Sequence, residues 1–173
     1  MKKHYDNPKE LLNRLRAAKE QERAAQRAPF SATSILFNYA LLKDERMSRP
    51  KLIEYNQKFA ALEASESAIQ PLNDKLWEKV GWRVEYGSFG HVARCRSLED
   101  RLRNHEADCN NHINEECTRC MVIGFNVLME MGYGAKRLTR VKDAICKYLE
   151  ADVRELNREL IEAGIIIEMP AIA

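Results

Sequence analysis

Apolar residues recur at intervals of three and four along most of this chain, and this spacing constrains the fold more than any other feature. It places apolar side chains on one face of an α-helix and leaves the opposite face to charged residues. Only 7 of the 173 residues are glycine and 5 are proline, so few positions favour turns. Hydrophobic residues make up 45% of the chain and charged residues 31%. The sequence therefore predicts one soluble, mainly α-helical domain spanning residues 1–173.

Capping residues and prolines mark where the predicted helices begin and end. Residues 1–28 are predicted to form a basic N-terminal helix or arm, with eight Lys and Arg against four Asp and Glu. Ser48 is predicted to cap a helix that buries an apolar stripe consisting of Leu52, Tyr55, Phe59 and Leu62. The other predicted helices cover residues 32–43, 72–80, 97–110, 117–131 and 136–163.

Two segments share one pattern, in which an apolar helix and a tight turn lead into a helix with a basic start. One segment begins at Phe37 and the other at Phe125. We expect a helical bundle of antiparallel hairpins, unless the similarity is only that of any two amphipathic helices. Residues 81–87 alternate between apolar and polar, which fits a short strand or an extended loop. If they pair with residues 165–169, the bundle carries a minimal β pairing.

Four of the five cysteines and two of the four histidines lie between Cys95 and Cys120. The chain shows no secretory signal peptide, and its apolar runs are far shorter than the roughly 20 residues that cross a bilayer. We therefore expect a cytoplasmic protein without a membrane partner. Cysteines stay reduced in the cytoplasm, so a cluster with histidines indicates metal ligands before disulfides.

The predicted ligands are two pairs. His105 and Cys109 are four residues apart and share a helix face, while Cys117 and Cys120 form a Cys-x-x-Cys pair. If residues 110–116 reverse the chain between two helices, the pairs meet in a closed, four-coordinate structural zinc site. His112 is the alternative fourth ligand, and residues 91–120 form the predicted zinc-stapled helix-loop-helix. The competing interpretation is a set of reduced cysteines packed between helices without a metal.

Motifs for catalysis are missing from the sequence. A zinc deaminase needs His-x-Glu followed by Pro-Cys-x-x-Cys, whereas here Glu106 directly follows His105 and Glu116 precedes Cys117. Neither a phosphate-binding loop nor a nucleophile elbow is present. The sequence therefore predicts a protein that acts without catalysis.

Basic residues supply the predicted partner contacts. Lys136 and Arg137 follow a glycine-containing turn at a helix start, where free amide groups favour a phosphate or another anion. Arg140, Arg94 and Arg96 add positive charge that we expect to contact a partner or a nucleic acid. The alternative is a solvated helix face.

Residues 125–141 combine an apolar helix with the turn Met-Gly-Tyr-Gly-Ala-Lys-Arg-Leu and a second helix. This segment resembles a turn in small proteins of bacteriophages and integrative elements, which include anti-CRISPR inhibitors. The resemblance implies a non-enzymatic inhibitor that binds a host Cas nucleoprotein, or another host protein or ribonucleoprotein, and blocks nucleic-acid engagement. The alternative is a DNA-binding regulator or accessory protein that places residues 136–147 on a duplex, with contacts to DNA or RNA phosphates.

Overall fold

The computed structural model describes residues 9–10, 12–14, 16–17, 28–65, 68–94 and 97–167. Most of the predicted N-terminal helix, together with Cys95 and Arg96, lies outside these residues. From residue 28 onward the described chain is mainly helical, and its helices are α1 (Ala28–Lys43), α2 (Arg49–Ala64), α3 (Ile69–Val80), α4 (Leu98–Glu130), α5 (Ala135–Lys147) and α6 (Val153–Glu162). None of the described residues forms a β-strand, so the predicted pairing of residues 81–87 with 165–167 is wrong.

Helix α1 lies at the centre of the core and contacts α2, α4, α5 and α6. Its apolar side chains cover most of its circumference, and Ile35, Phe37 and Leu41 are almost completely buried. A helix that is apolar all round is stable only when other elements surround it. The buried Asn38 is satisfied within the core, because it donates to the Ser34 carbonyl and accepts from Asn56.

Helix α2 confirms the apolar stripe expected behind Ser48, which occupies the N-cap position with Pro50 in the first turn. Leu52, Tyr55 and Phe59 are buried against the core. Helix α3 is confirmed as well, and Gly81 ends it in the left-handed conformation with φ of 76°. That conformation is accessible to glycine at low cost, which explains the helix end.

Helix α4 is 33 residues long and begins with a reciprocal capping box between Ser97 and Asp100. Its second half is buried, and it runs without interruption through residues 110–116. The predicted helix end at Asn110 and Asn111 is therefore wrong, as is the loop before Cys117. Asparagine is only a weak helix former, and a weak intrinsic preference is readily overridden by tertiary contacts.

Helices α1 and α4 pack closely at Gly124. A Cβ atom at this position would lie 2.7 Å from Cζ of Phe37 and 2.8 Å from the Tyr55 hydroxyl. The rings of Phe37 and Phe125 meet edge to face beside it, with centroids 5.0 Å apart. The packing between these two central helices therefore requires a residue without a side chain at position 124.

The segment predicted as one helix over residues 136–163 forms two, and this prediction is wrong. Asp152 caps α6 by accepting a hydrogen bond from the amide of Arg154. Leu149, in the turn before it, is 59% exposed although it continues the apolar period of α5. Gly164 ends α6 with φ of 76°, at the predicted position. Within the described residues, no helix has the length and apolar content required to cross a bilayer.

Candidate binding site on an asparagine-clamped strap

Residues 81–94, here termed the strap, follow α3 without forming a helix or a strand, and asparagine side chains hydrogen-bond their backbone. The amide of Asn73 donates to the Val84 carbonyl at 3.0 Å and accepts from the Val84 amide at 3.1 Å. Asn111 forms the same pair of bonds with Phe89, at 3.0 and 2.7 Å. Asn104 forms it with Val92, at 3.2 and 2.6 Å.

The strap runs antiparallel to α4, and the two elements match in spacing. Asn104 and Asn111 are seven residues apart on one helix face, a rise of about 10.5 Å. Their partners Val92 and Phe89 are three extended residues apart, which is about 10 Å. Asn114 continues the series by donating to the carbonyl of Gly87. One helix face therefore holds the strap much as a neighbouring strand would.

Sequence reasoning missed this arrangement, although a signal was present. Asparagines at positions 104, 111 and 114 share one face of a helical pattern. Asn111 was interpreted as part of a helix end instead. His91 of the strap pairs with Asp108 of α4 through Nε2 and Oδ1 at 2.6 Å and adds another contact between the two elements.

Exposed aromatic side chains lie on the strap and near the end of α3. Trp77 is 51% exposed and Phe89 is 50% exposed. Arg83 lies over the Trp77 ring, 5.5 Å from its centroid, and is held there by a 2.8 Å ion pair with Asp74. Trp77, Arg83 and Phe89 are termed the aromatic strip. Tryptophan and arginine are the residue types most often responsible for affinity at protein interfaces.

Residues 82–86 of the strap form one wall of a pocket of about 650 Å³. The remaining walls come from α1, α4, α5 and the start of α6. Most of the lining is apolar, and the Trp82 ring packs edge to face on Phe125 with centroids 4.9 Å apart. The lining side chains that bear on the chemistry are Thr33, Trp82, Tyr86, Cys117, Lys142 and Cys146.

Tyr86 keeps its proton at neutral pH. Burial, followed by electrostatic interaction with Cys117, Cys120 and Cys146, raises the pKa of Tyr86 to about 12. The phenol is therefore able to donate a hydrogen bond inside the pocket.

Comparison with known proteins provides no family for this chain. No protein-family model, curated protein or solved structure matches it. Its function is therefore argued from the geometry of the strap and the pocket.

The predicted metal ligands lie on one uninterrupted helix. His105 Nε2 and Cys109 Sγ are 3.9 Å apart, so the first pair does share a face. Cys117 lies eight residues further along, a rise of about 12 Å. The predicted reversal of the chain is thus replaced by straight helix, and the two pairs do not converge. Among the described residues, no three His, Cys, Asp or Glu side chains lie close enough to hold one ion.

The second predicted pair is Cys117 and Cys120, and the alternative ligand is His112. Their surroundings differ from those of the first pair. Cys117 accepts a hydrogen bond from the Thr33 hydroxyl, and the fully buried Cys120 donates to the Phe30 carbonyl. Burial, followed by the charges of Cys117, Glu63 and Glu116, raises the pKa of Cys120 well above its usual value. His112 is half-buried on α4. Zinc binding therefore stays a prediction, but the helix-loop-helix that it assumed is replaced by one continuous helix.

Two of the predicted partner contacts are engaged inside the protein. Arg137 and Arg140 of α5 both pair with the buried carboxylate of Glu45, at 2.6 and 3.0 Å. Burial raises the pKa of Glu45, but the hydrogen bonds and charges of the two arginines outweigh it and leave that pKa lowered. Lys136 and Arg94 are exposed, and Arg96 lies outside the described residues.

Proposed function

We propose that this protein acts by binding a protein partner through the aromatic strip, without catalysing a reaction. The observation that carries the proposal is that Trp77 and Phe89 are half exposed beside a strap whose backbone is fixed. Large aromatic side chains usually lie in the core, and exposed ones next to an arginine typify the centre of an interface.

The paired hydrogen bonds from asparagine side chains to the strap backbone, here termed the asparagine clamps, support this proposal energetically. A loop that becomes ordered only on binding loses conformational entropy at that moment, which reduces affinity. The paired bonds from Asn111 and Asn104 hold the strap extended before any partner arrives. An aromatic strip on such a backbone offers its contact area at low entropic cost.

The proposed partner is a host ribonucleoprotein in the cytoplasm, and its specific form is a Cas effector carrying its guide RNA. This form rests on the resemblance of residues 125–141 to proteins of phages and integrative elements. In it, the aromatic strip contacts the effector protein, while exposed Lys136 and Arg94 lie free to approach nucleic-acid phosphates. The complex then blocks engagement of the target strand.

Direct DNA binding by α5 receives less support from the geometry. That helix was expected to place Lys136, Arg137 and Arg140 on a duplex. Two of these three side chains share the Glu45 carboxylate, so a phosphate would have to compete with a buried partner. Lys147 is paired as well, with Asp44 at 3.2 Å.

Affinity for guide-loaded Cas effectors, measured by biolayer interferometry on a panel of purified complexes, tests the proposal. We expect the double variant Trp77→Ala/Phe89→Ala to bind at least about 30-fold more weakly than the wild type, because truncating an interface anchor typically costs roughly 2 kcal/mol or more. Ile161→Ala is the matched control, since Ile161 is 53% exposed on α6 and lies outside the strip.

Two outcomes would contradict the proposal. If no effector in the panel binds the wild-type protein, the Cas form of the partner is wrong. If the double variant and the control bind equally well, the aromatic strip is not the interface. A complex with bare duplex that weakens steeply with added salt would instead favour the DNA-binding alternative.

A further inference from the structure

The pocket beneath the strap has the size and lining of a small-molecule site. Its volume of about 650 Å³ lies within the range of about 300–1,000 Å³ typical of ligand pockets. Leu36, Met121 and Phe125 line its floor, and Leu149 lies at its exposed edge. Because the strap forms one wall, the space is a groove, partly open to solvent, that can take a flexible apolar chain.

A single ammonium group lies at this apolar space without an acidic partner. The Nζ atom of Lys142 lies 5.1 Å from the centroid of the Trp82 ring, which is part of the pocket wall. Among the described residues, no carboxylate lies within ion-pair distance of it. Three other basic residues of α5, namely Arg137, Arg140 and Lys147, are all paired with acidic side chains. Lys142 is therefore the cation of this helix available to an anionic group in the pocket.

We propose that this pocket binds a long-chain carboxylate, with the apolar tail along Leu36, Met121 and Phe125 and the carboxylate on Lys142. An ion pair beside low-dielectric walls is stronger than one in water, and burial of the tail contributes the remaining affinity. The protonated Tyr86 hydroxyl lines the same space and is a second donor for the head group. Arg83 of the aromatic strip also lines this pocket, where its guanidinium is paired with Asp74. The ligand proposal rests on Lys142 and does not depend on the proposed protein partner.

Charge on the other side of the pocket constrains the proposal. Glu85 also lines the space, and its side chain is exposed. A carboxylate ligand would be repelled by Glu85 and attracted by Lys142. The two residues therefore have opposite expected effects, which a neutral apolar ligand would not produce.

Displacement of a dansyl-labelled undecanoate from the full-length protein, followed by fluorescence, measures binding to the pocket. Palmitate and hexadecanol serve as competitors with similar tails and different head groups. We expect Lys142→Gln to raise the Kd for palmitate about tenfold and to leave that for hexadecanol unchanged, since the lost contact is a charge-assisted one. Lys136→Gln removes an exposed charge from the same helix outside the pocket and is expected to change neither.

Further variants keep the test decisive. Glu85→Gln is expected to leave palmitate binding as strong as in the wild type or stronger. Ala32→Trp, at a lining position of α1, is expected to fill the cavity and abolish binding of both competitors, with the fold checked by circular dichroism. The proposal is overturned if palmitate fails to displace the probe. It is equally overturned if hexadecanol competes as well as palmitate, or if Lys142→Gln and Lys136→Gln behave alike.

Discussion

At the scale of single residues, a primary amide is the side chain that most resembles the peptide group, because N–H donors and a carbonyl acceptor lie in one plane. Asn73, Asn104 and Asn111 each use both atoms on one strap residue. The extended backbone thereby satisfies hydrogen bonds that a β-sheet would otherwise provide. Aspartate at these positions would lack the N–H donor, and alanine would lack both the donor and the acceptor. Glutamine would place its amide one methylene further from the helix.

Asn73→Ala tests the most buried of these clamps. The amide and carbonyl of Val84 would both lose their partners, and we expect the free energy of unfolding to fall by about 2–3 kcal/mol. Urea denaturation measures the change. Asn110→Ala is the matched control, because Asn110 is exposed on α4 and clamps no strap residue. Equal stability of the two variants would show that the clamp contributes nothing to the fold.

Gly124→Ala tests the close approach of α1 and α4. Alanine favours helices by about 1 kcal/mol over glycine, yet its Cβ would lie 2.7 Å from a Phe37 ring atom. We expect overpacking to dominate and to lower the free energy of unfolding by about 1–3 kcal/mol. Gly87→Ala is the control, since a Cβ there meets no atom within 4 Å. A more stable Gly124→Ala protein would mean that Phe37 and Tyr55 move apart easily.

At the scale of elements, the fold depends on the match between α4 and the strap. Seven helical residues and three extended residues cover nearly the same distance, so one face of α4 reaches the strap at repeated positions. A break at residues 110–116 would move Asn104 out of register with Asn111. Because α4 is uninterrupted, it also keeps Cys109 and Cys117 about 12 Å apart along its axis.

This separation leads to a specific expectation about metal. A structural zinc ion needs four protein ligands, and α4 offers separate pairs. With two protein ligands, His105 and Cys109, whose atoms lie 3.9 Å apart, we expect zinc to bind more weakly than in a four-ligand site. Elemental analysis after equilibration with excess zinc should then show less zinc on Cys109→Ser than on Cys117→Ser. Loss from both variants would restore the four-ligand site, and metal-free wild-type protein would refute zinc binding.

The apolar period was sufficient to predict some elements and insufficient for others. Leu52, Tyr55 and Phe59 are buried as the spacing behind Ser48 indicated, because a regular helix with one apolar face has a single way to pack. The period cannot detect a turn that keeps the apolar register, which is why α5 and α6 were predicted as one helix across Leu149. Side chains that bond to distant backbone, such as Asn111, also leave no signal in the apolar period, and the spacing of the asparagines does not identify the segment that they bind.

At the scale of the whole molecule, charged residues at and just after the end of α1 connect it to the last two helices. Lys43 pairs with Glu159 of α6 at 2.7 Å, and Asp44 accepts from Lys147 and Tyr148 after α5. Glu45 holds Arg137 and Arg140. Two of the five basic residues that the sequence suggested as partner contacts, Arg137 and Arg140, are therefore used within the protein. Such long-range pairing depends on the tertiary fold and could not be predicted from local patterns.

Glu45 gives this arrangement a dependence on pH that can be measured. Its pKa is lowered in the folded protein, because the bonds from Arg140 and Arg137 outweigh the opposing effect of burial. A carboxyl with a lowered folded pKa stabilises the fold above its ordinary pKa, and the contribution is lost as the pH falls through the folded value. At pH 6 we expect Glu45→Gln to be less stable than the wild type by roughly 1–2 kcal/mol.

Below pH 4 the difference in the free energy of unfolding between Glu45→Gln and the wild type should narrow. Protonation of Glu45 in the wild type then removes the same charge that the substitution removes. Urea denaturation at intervals from pH 6 to pH 3 follows both proteins. Glu162→Gln is the control, since Glu162 is exposed on α6 and forms no ion pair with any described residue. If the stability of Glu45→Gln stays parallel to that of the wild type across this range, the carboxylate does not hold the two arginines, and Arg137 and Arg140 are available to a partner after all.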